Sequence, residues 1–220
     1  MFIASWLLAE TLQPGYSGTA SGVSALGADG ARDAWIAMTG FVVFGLGVAA
    51  LAPGLRFVLP RRRAAAVAAA FFVLAGLSIV VVGLARADCN LSNAACQARF
   101  DAGQLSWQTD VHVWAGLVMR VALILTPFAL ARALWPSPAG ALAILSGAVG
   151  AAIGAAALIL YSSGGADGLV ERFELVVVNL WALIVAVGIL YETRSAPRLS
   201  APAALRPRDF FGSAWSGEGI

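Results

Sequence analysis

The charged residue best placed to do chemistry lies inside an apolar stretch. Arg120 falls about two helical turns into residues 111–134, where a charged side chain is costly and usually paired. His112, Gly116 and Arg120 recur every four residues, so a helix places them on one face. This stripe is expected to face the interior of a helical bundle rather than lipid.

Three residues could partner the Arg120 guanidinium at a similar depth: Glu174, Asn179 and Glu10. Glu171 and Glu174 lie about 60° apart on a helix, so both carboxylates could face the same cluster. One interpretation is a buried ion pair that fixes helix packing, and a buried pair alone is weak evidence for stability. The other is a polar pocket, open to one side, that binds a substrate headgroup or relays protons.

The pocket interpretation gives a set of candidate ligand-binding residues on one side of the membrane, and it can be ruled out by the position of Arg120. The pocket is excluded if Arg120 faces lipid, or lies beyond about 12 Å, more than a Debye length at 0.1 M salt, from every carboxylate. His112, the only histidine, is either a solvated or locally hydrogen-bonded side chain or a titrating group at an outward-facing site. The set is Asp88, His112, Arg120, Glu171 and Glu174.

The only two cysteines lie in one loop. Cys89 and Cys96 fall within residues 86–110, on the side expected to be outside the cell, where disulfides persist. Redox-active pairs usually have Cys-X-X-Cys spacing, and six residues separate these two. We expect a structural disulfide.

Several chemistries are excluded by what the sequence lacks. A bis-histidine haem or a histidine-rich zinc site needs more than one histidine. Walker A, G-x-G-x-x-G and H-E-x-x-H motifs are absent from the sequence. The net charge of +2 is too small to indicate nucleic-acid binding. We therefore assign no catalytic residue, no metal and no cofactor.

Composition and apolar runs predict an all-α, polytopic transmembrane helix bundle of about six helices. The 220 residues are 60% hydrophobic and 12% charged, with a mean hydropathy of +0.84. A spanning helix needs about 20 apolar residues. Residues 1–12 cover only about half of a hydrocarbon core. Either this helix spans poorly, or part of it lies upstream, or the stretch is an interfacial segment. Five other runs qualify: 34–52 (with a continuation to 59 left open), 64–85, 111–134, 139–161 and 169–191.

Arginine placement predicts the orientation. Nine arginines fall on one side and four on the other, and the positive-inside rule makes the first side cytoplasmic. The C-terminus is then cytoplasmic. We expect residues 1–192 to form the bundle and residues 193–220 to be a mobile cytoplasmic tail containing arginine and proline. The nine are Arg56, Arg61, Arg62, Arg63, Arg132, Arg194, Arg198, Arg206 and Arg208, and the four are Arg32, Arg86, Arg99 and Arg172.

The run at 139–161 carries a G-x-x-x-G step. Gly150 and Gly154 would let another helix approach closely, and packing inside the bundle is the favoured interpretation.

The order of these features resembles the "domain of unknown function 998" family of bacterial and archaeal membrane proteins, over roughly residues 1–192. The resemblance implies six helices and no established activity. It also implies that Asp88, His112, Glu171 and Arg172 cluster on the outer side. The segments that carry it are LQPGYS at 12–17, SALG at 24–27 leading to AW at 34–35, GLARADC at 83–89, His112, and GLVER at 168–172.

Three functions remain open. The first is a protein of the bacterial plasma (inner) membrane whose outward-facing pocket binds a lipid headgroup or a small polar solute. The second is a membrane enzyme acting on a lipid or isoprenoid substrate, with His112 and a carboxylate as acid and base, in which His112→Ala abolishes turnover. The third is an accessory subunit with a membrane-protein partner. In each case the bilayer is a partner and nucleic acid is not.

Overall fold

The computed structural model describes residues 1–59, 63–135, 140–163 and 167–195, and the regular elements in these residues are all helical. A short 3-10 helix, Val23–Gly27, lies between the first two α-helices. The α-helices are α1 (Phe2–Leu12), α2 (Ala34–Val58), α3 (Arg63–Leu84), α4 (Ala94–Asp101), α5 (Trp107–Leu134), α6 (Gly140–Ser163) and α7 (Asp167–Ser195).

The expected all-α transmembrane bundle is confirmed. Helices α2, α3, α5, α6 and α7 are each long and apolar enough to cross a membrane. Helix α2 continues through Pro53 to Val58, which answers the question of its end. The short α4 was not expected from the sequence, because its eight residues mix small apolar and charged side chains and form no apolar run long enough to span a membrane.

The five long helices close into one bundle. Helix α3 packs between α2 and α5, α6 packs between α5 and α7, and α7 returns to contact α2. At the centre, the rings of Phe72 on α3 and Trp181 on α7 stack with centroids 5.4 Å apart. The indole N–H of Trp181 donates to Ser146 Oγ on α6 at 3.0 Å. Three helices therefore meet at one aromatic layer.

Glycines allow α2 and α3 to cross in close contact. A Cβ on Gly45 would lie 2.5 Å from the carbonyl oxygen of Gly76, and a Cβ on Gly76 would lie 2.5 Å from that of Gly45. In α6, a Cβ on Gly150 would meet the Phe128 ring at 2.8 Å. The G-x-x-x-G step of α6 is thus used at Gly150 for packing against α5.

Helix α1 covers only part of α2. Its 11 residues rise about 16 Å. The Phe2 ring stacks on Phe44 at 4.8 Å and meets Phe41 edge-on at 5.0 Å, which places the start of α1 beside the middle of α2. From there α1 runs toward the end of the bundle where α2 begins.

The two ends of the bundle differ. The disulfide end carries residues 13–33 and 85–106. The arginine end carries the exposed side chains of Arg56, Arg63, Arg132 and Arg194. Outside the described residues lie Arg61, Arg62, Arg198, Arg206 and Arg208, and with them residues 196–220 of the expected tail.

The α2–α3 crossing gives a stability test. Gly45→Ala is expected to lower the free energy of unfolding by about 1–3 kcal/mol, because the new methyl group meets backbone. Gly47→Ala, two residues along α2, meets no atom within 4 Å and is expected to be neutral or stabilising by about 0.5–1 kcal/mol. Denaturant unfolding in detergent compares the two. Equal losses would contradict the close crossing.

Candidate functional site

An ion pair joins α5 to α7 in the half of the bundle nearer the disulfide end. Arg120 Nε lies 3.3 Å from Glu174 Oε2. The Glu174 side chain is 8% exposed and the Arg120 side chain 30% exposed. Helical side chains lean toward the N-terminus of their helix, so Arg120 reaches up α5 toward the disulfide end. Arg120 therefore satisfies the condition set for a pocket.

Glu174 is only half satisfied by this pair. Its other oxygen, Oε1, is buried and has no hydrogen-bond partner among the described residues. One turn above Arg120, a Cβ on Gly116 would have no heavy atom within 4 Å. Among the described residues, the α5 surface is therefore open at Gly116, while Glu174 Oε1 is enclosed and can still accept a hydrogen bond.

The aromatic layer lies below this polar site. Glu174 and Trp181 are seven residues apart on α7, two turns along one face. Val178 lies between them on the same face and is buried. The charges at Arg120 and Glu174 thus lie between an apolar floor and the loops of the disulfide end.

The 3-10 helix covers the site from the disulfide end. Its Val23 and Leu26 side chains are fully buried and belong to the core. The backbone N–H groups of Val23 and Ser24 interact with the carboxylate of Glu171. A Cβ on Gly22 would collide with Glu171 Oε2, so a larger residue there would have to displace this carboxylate. Glu171 therefore faces both this helix and, electrostatically, Arg120.

Arg172, the next residue on α7, binds backbone carbonyl groups of the same loop, whereas Glu171 faces its N–H groups. Its guanidinium donates to the carbonyl oxygens of Gly18, Ser21 and Gly168, the last two at 3.0 Å. A Cβ on Gly168 would lie 2.5 Å from Gly18 O, so the loop packs directly on the start of α7. Consecutive charges on α7 thus bind the carbonyls and the amides of one loop.

The guanidinium of Arg172 also joins α1 to this loop. It pairs with Glu10 Oε2 and donates to the Tyr16 hydroxyl, both at 3.0 Å. The Trp6 ring lies beneath it, 5.2 Å from centroid to guanidinium carbon. Tyr16 in turn donates to Gly22 O at 2.7 Å, and burial raises the pKa of Tyr16 above its ordinary value. The C-terminal end of α1 is therefore held at the disulfide end of the bundle.

His112 and Asp88 hold the α3–α5 corner. His112 is buried, and its Nδ1 lies 2.7 Å from the carbonyl oxygen of Ala85. The Asp88 carboxylate accepts from the N–H of Ser106, at 2.7 Å, and from the hydroxyl of the same residue. The backbone N–H of Asp88 donates to Thr109 Oγ1 at 3.0 Å. Hydrogen bonds from Ser106 hold the pKa of Asp88 below its ordinary value.

The disulfide loop packs on the loop that covers the site. Cys89 and Cys96 are bonded, as expected. Within the closed loop, Asn90 Nδ2 donates to Ser21 Oγ at 3.0 Å, and Ser92 Oγ accepts from the N–H of Gly22 at 3.3 Å. The disulfide therefore constrains a segment that contacts the cover directly.

The structure brings together three of the five candidate residues: Arg120, Glu171 and Glu174. Asp88 and His112 have partners of their own at the α3–α5 corner. Of the three partners considered for Arg120, Glu174 makes the contact. Asn179 instead donates to Leu175 O at 2.9 Å, and Glu10 pairs with Arg172.

The role of Arg172 as a hub was missed in the sequence. It opens the last span beside Glu171, and a solvated residue at a helix end has the same local sequence. The one available signal was the order of LQPGYS, SALG and GLVER, because these segments supply most of the residues that contact one another here.

A comparison with protein families identifies one match. The family described as "Protein of unknown function (DUF998)" matches residues 1–188, which confirms the resemblance expected from the motifs. No curated protein and no solved structure matches the chain.

The hub at Arg172 gives a first prediction for this site. Arg172→Lys keeps the charge but cannot reproduce the planar set of donors, so we expect a loss of about 2–4 kcal/mol in the free energy of unfolding. Hydrogen exchange should rise across residues 16–27. The control is Arg32→Lys, whose side chain is 68% exposed and should change stability by less than about 0.5 kcal/mol. Unchanged exchange in the lysine variant would contradict the hub.

Asp88 gives a prediction about how the stability of the fold depends on pH. Because its pKa is lower in the folded protein than in the unfolded chain, it stabilises the fold above the unfolded value of about 3.9. This contribution is lost as the pH falls from about 5 toward the folded-state pKa. The difference in melting temperature between the parent and Asp88→Asn should therefore be largest near pH 6 and narrow toward pH 3. A difference in melting temperature that does not change with pH would contradict this role of the Asp88 carboxylate.

Proposed function

The chain belongs to the DUF998 family, which has no assigned activity, and from its geometry we propose that it is a multi-pass membrane protein that binds a small polar ligand beside Arg120, Glu171 and Glu174. The ligand is a lipid headgroup or a small solute. His112 and Asp88 lie outside this ligand site and stabilise the α3–α5 corner through hydrogen bonds of their own.

The observation that carries this proposal is the unpaired oxygen of Glu174. A buried polar atom without a hydrogen bond costs roughly 1–3 kcal/mol, and more when the group is charged. Glu174 Oε1 is in this condition, while Oε2 of the same carboxylate contacts Arg120. A packing device alone would be expected to satisfy both oxygens. A ligand that donates a hydrogen bond to Oε1 completes the site.

Hydrogen bonding indicates the class of ligand. The ligand would present a hydrogen-bond donor to Glu174 Oε1. Arg120 keeps 30% of its side chain exposed and can bind an anionic group. An ammonium next to an anion fits both requirements, and phosphoethanolamine headgroups and free amino acids share that chemistry.

Orientation follows from two independent arguments. The disulfide is expected on the oxidising side of the membrane. At the disulfide end, Arg86 and Arg172 are in ion pairs with Asp29 and Glu10 at 3.0 Å. The sequence places nine arginines at the opposite end and four at the disulfide end, and the positive-inside rule makes the arginine-rich end cytoplasmic. We therefore place the disulfide end outside a bacterial plasma membrane and the C-terminus in the cytoplasm.

The test compares ligand retention in variants that fill the open space. Gly116→Leu places its Cβ where no heavy atom of the described residues lies within 4 Å, and we expect it to lower retention at least tenfold while the protein stays folded. Gly147→Leu on α6 also enters open space and should bind as the parent does. The proteins are purified in mild detergent, and the retained small molecules and lipids are identified by mass spectrometry. Phosphoethanolamine and glycine are titrated in parallel.

The outcomes separate a ligand site from a packing device. A species retained by the parent and by Gly147→Leu, but lost from a folded Gly116→Leu, supports the site and identifies its source as lipid or solute. Arg120→Lys should weaken the same species. Equal retention in all variants, or no binding of any species or titrated probe by the folded parent, would overturn the proposal.

A further inference from the structure

A groove on the outer surface of the bundle runs between α3 and α5. Its volume is about 400 Å³, within the range of about 300–1,000 Å³ that is usual for ligand pockets. Most of its wall consists of exposed apolar side chains, and the wall also contains one carboxylate and one hydroxyl group. The lining residues are Leu77, Ser78 and Val81 of α3, and Asp110, Val111, Trp114, Ala115 and Val118 of α5.

The carboxylate and the hydroxyl lie at different depths. His112, two residues after Asp110, lies level with Ala85 because its Nδ1 is 2.7 Å from the carbonyl oxygen of Ala85. Ser78 lies seven residues earlier on α3, which runs away from the disulfide end in that direction. The groove therefore extends about 13 Å from Asp110, at the disulfide end, to Ser78 inside the apolar part of the bundle.

The hydroxyl of Ser78 is available to a molecule in the groove. Ser78 is only 7% exposed, yet its side chain makes no hydrogen bond within the part of the chain that the structure describes. A hydroxyl inside a helix can bond to the carbonyl one turn earlier, as Thr126 does to Ala122 at 2.6 Å. Ser78 does not do so, and it lines the groove instead. A buried donor without an acceptor costs about 1–3 kcal/mol, which a bound acceptor would recover.

The mouth of the groove is acidic. Asp110 is exposed, and none of the ion pairs found among residues 1–59, 63–135, 140–163 and 167–195 includes it. A carboxylate binds most strongly to a positively charged hydrogen-bond donor. Trp114 lies one turn further along α5 and is 64% exposed, as is usual for an indole at a membrane interface.

The order of these groups fits a phospholipid. Its headgroup lies at the membrane surface, its ester carbonyls lie below the headgroup, and its acyl chains are apolar. A polar solute would leave its hydrogen bonds unsatisfied against the leucine and valine side chains of the groove. A headgroup with a net negative charge would be repelled by the carboxylate, and a quaternary ammonium has no N–H to donate.

We infer that this groove binds a phospholipid whose headgroup ends in a primary ammonium. The ammonium donates to the Asp110 carboxylate, one acyl chain lies along the apolar wall, and an ester carbonyl accepts the hydrogen bond of Ser78. Asp110 then selects the headgroup, whereas Ser78 binds a group that all diacyl phospholipids share.

The groove is separate from the site beside Arg120. Asp110, Trp114 and Val118 form one stripe along α5, and Gly116 and Arg120 belong to another. The two stripes are offset by two residues, so they lie about 160° apart around the helix. Failure of either proposal therefore leaves the other standing, because the variants that test them change different faces of α5.

The test measures headgroup preference. The detergent-purified full chain is titrated with phosphatidylethanolamine, phosphatidylcholine or phosphatidylglycerol of the same acyl chains, and native mass spectrometry gives the dissociation constants. Asp110→Asn and Ser78→Ala change the two polar groups of the groove. The controls are Asp101→Asn, which removes an exposed carboxylate from α4, and Gly116→Leu, which alters the other face of α5. Melting temperatures verify that each variant is folded.

The two substitutions should have different effects. The parent is expected to bind phosphatidylethanolamine at least tenfold more tightly than either other lipid. Asp110→Asn should remove most of this preference. Ser78→Ala should weaken phosphatidylethanolamine and phosphatidylcholine alike, about threefold or more, because it removes a hydrogen bond to a shared group. Asp101→Asn and Gly116→Leu should keep the preference of the parent.

Four outcomes would overturn the inference. Equal affinity of the parent for phosphatidylethanolamine and phosphatidylcholine means that no primary ammonium is recognised. An unchanged preference in Asp110→Asn means that another residue selects the headgroup. Unchanged affinities in Ser78→Ala mean that the lipid does not reach this hydroxyl. Loss of all phosphatidylethanolamine binding in a folded Gly116→Leu means that the lipid binds beside Arg120 and not in the groove.

Discussion

Two adjacent charges on α7 organise the disulfide end of this protein. Arg172 donates to backbone carbonyls of residues 18–21, and Glu171 faces the N–H groups that begin the 3-10 helix. A loop at the end of a membrane bundle has many backbone groups that neither a helix nor lipid can satisfy. A cation and an anion on successive residues can bind both the carbonyl groups and the N–H groups of such a loop. Because Arg172 also pairs with Glu10, the same contact holds α1 in place.

The polar site follows from this arrangement. The loop brings Val23 and Leu26 into the core above the Arg120–Glu174 pair, while Phe72 and Trp181 close the bundle below it. The charges are thus held between two apolar layers and keep one open flank at Gly116. Such a site is costly to maintain, because each buried ion must recover its lost hydration from a partner. The unpaired oxygen of Glu174 shows that the protein itself supplies only part of that recovery.

The sequence predicted the bundle and its family because apolar runs of about 20 residues have few alternatives to spanning a membrane. It also identified Arg120, since a charge at that depth must face the interior, and it named Glu174 among three candidate partners. It could not choose among those partners, because helix rotation and tilt are set by packing against neighbours. The hub at Arg172 and the helical α4 depend on loop conformation, for which residues 13–33 and 85–106 carry no periodic signal.

The measurement that tests the central claim most directly is the accessibility of Gly116 to water. The two native cysteines are bonded, so Gly116→Cys introduces the single free thiol. A water-soluble, membrane-impermeant thiol reagent applied to intact cells should label Gly116→Cys and the loop variant Gln104→Cys. It should not label Leu117→Cys, the adjacent position, whose exposed apolar side chain we expect to contact lipid. Labelling of Gln104→Cys without Gly116→Cys would show that no outward-facing polar crevice reaches Arg120, and it would contradict the account.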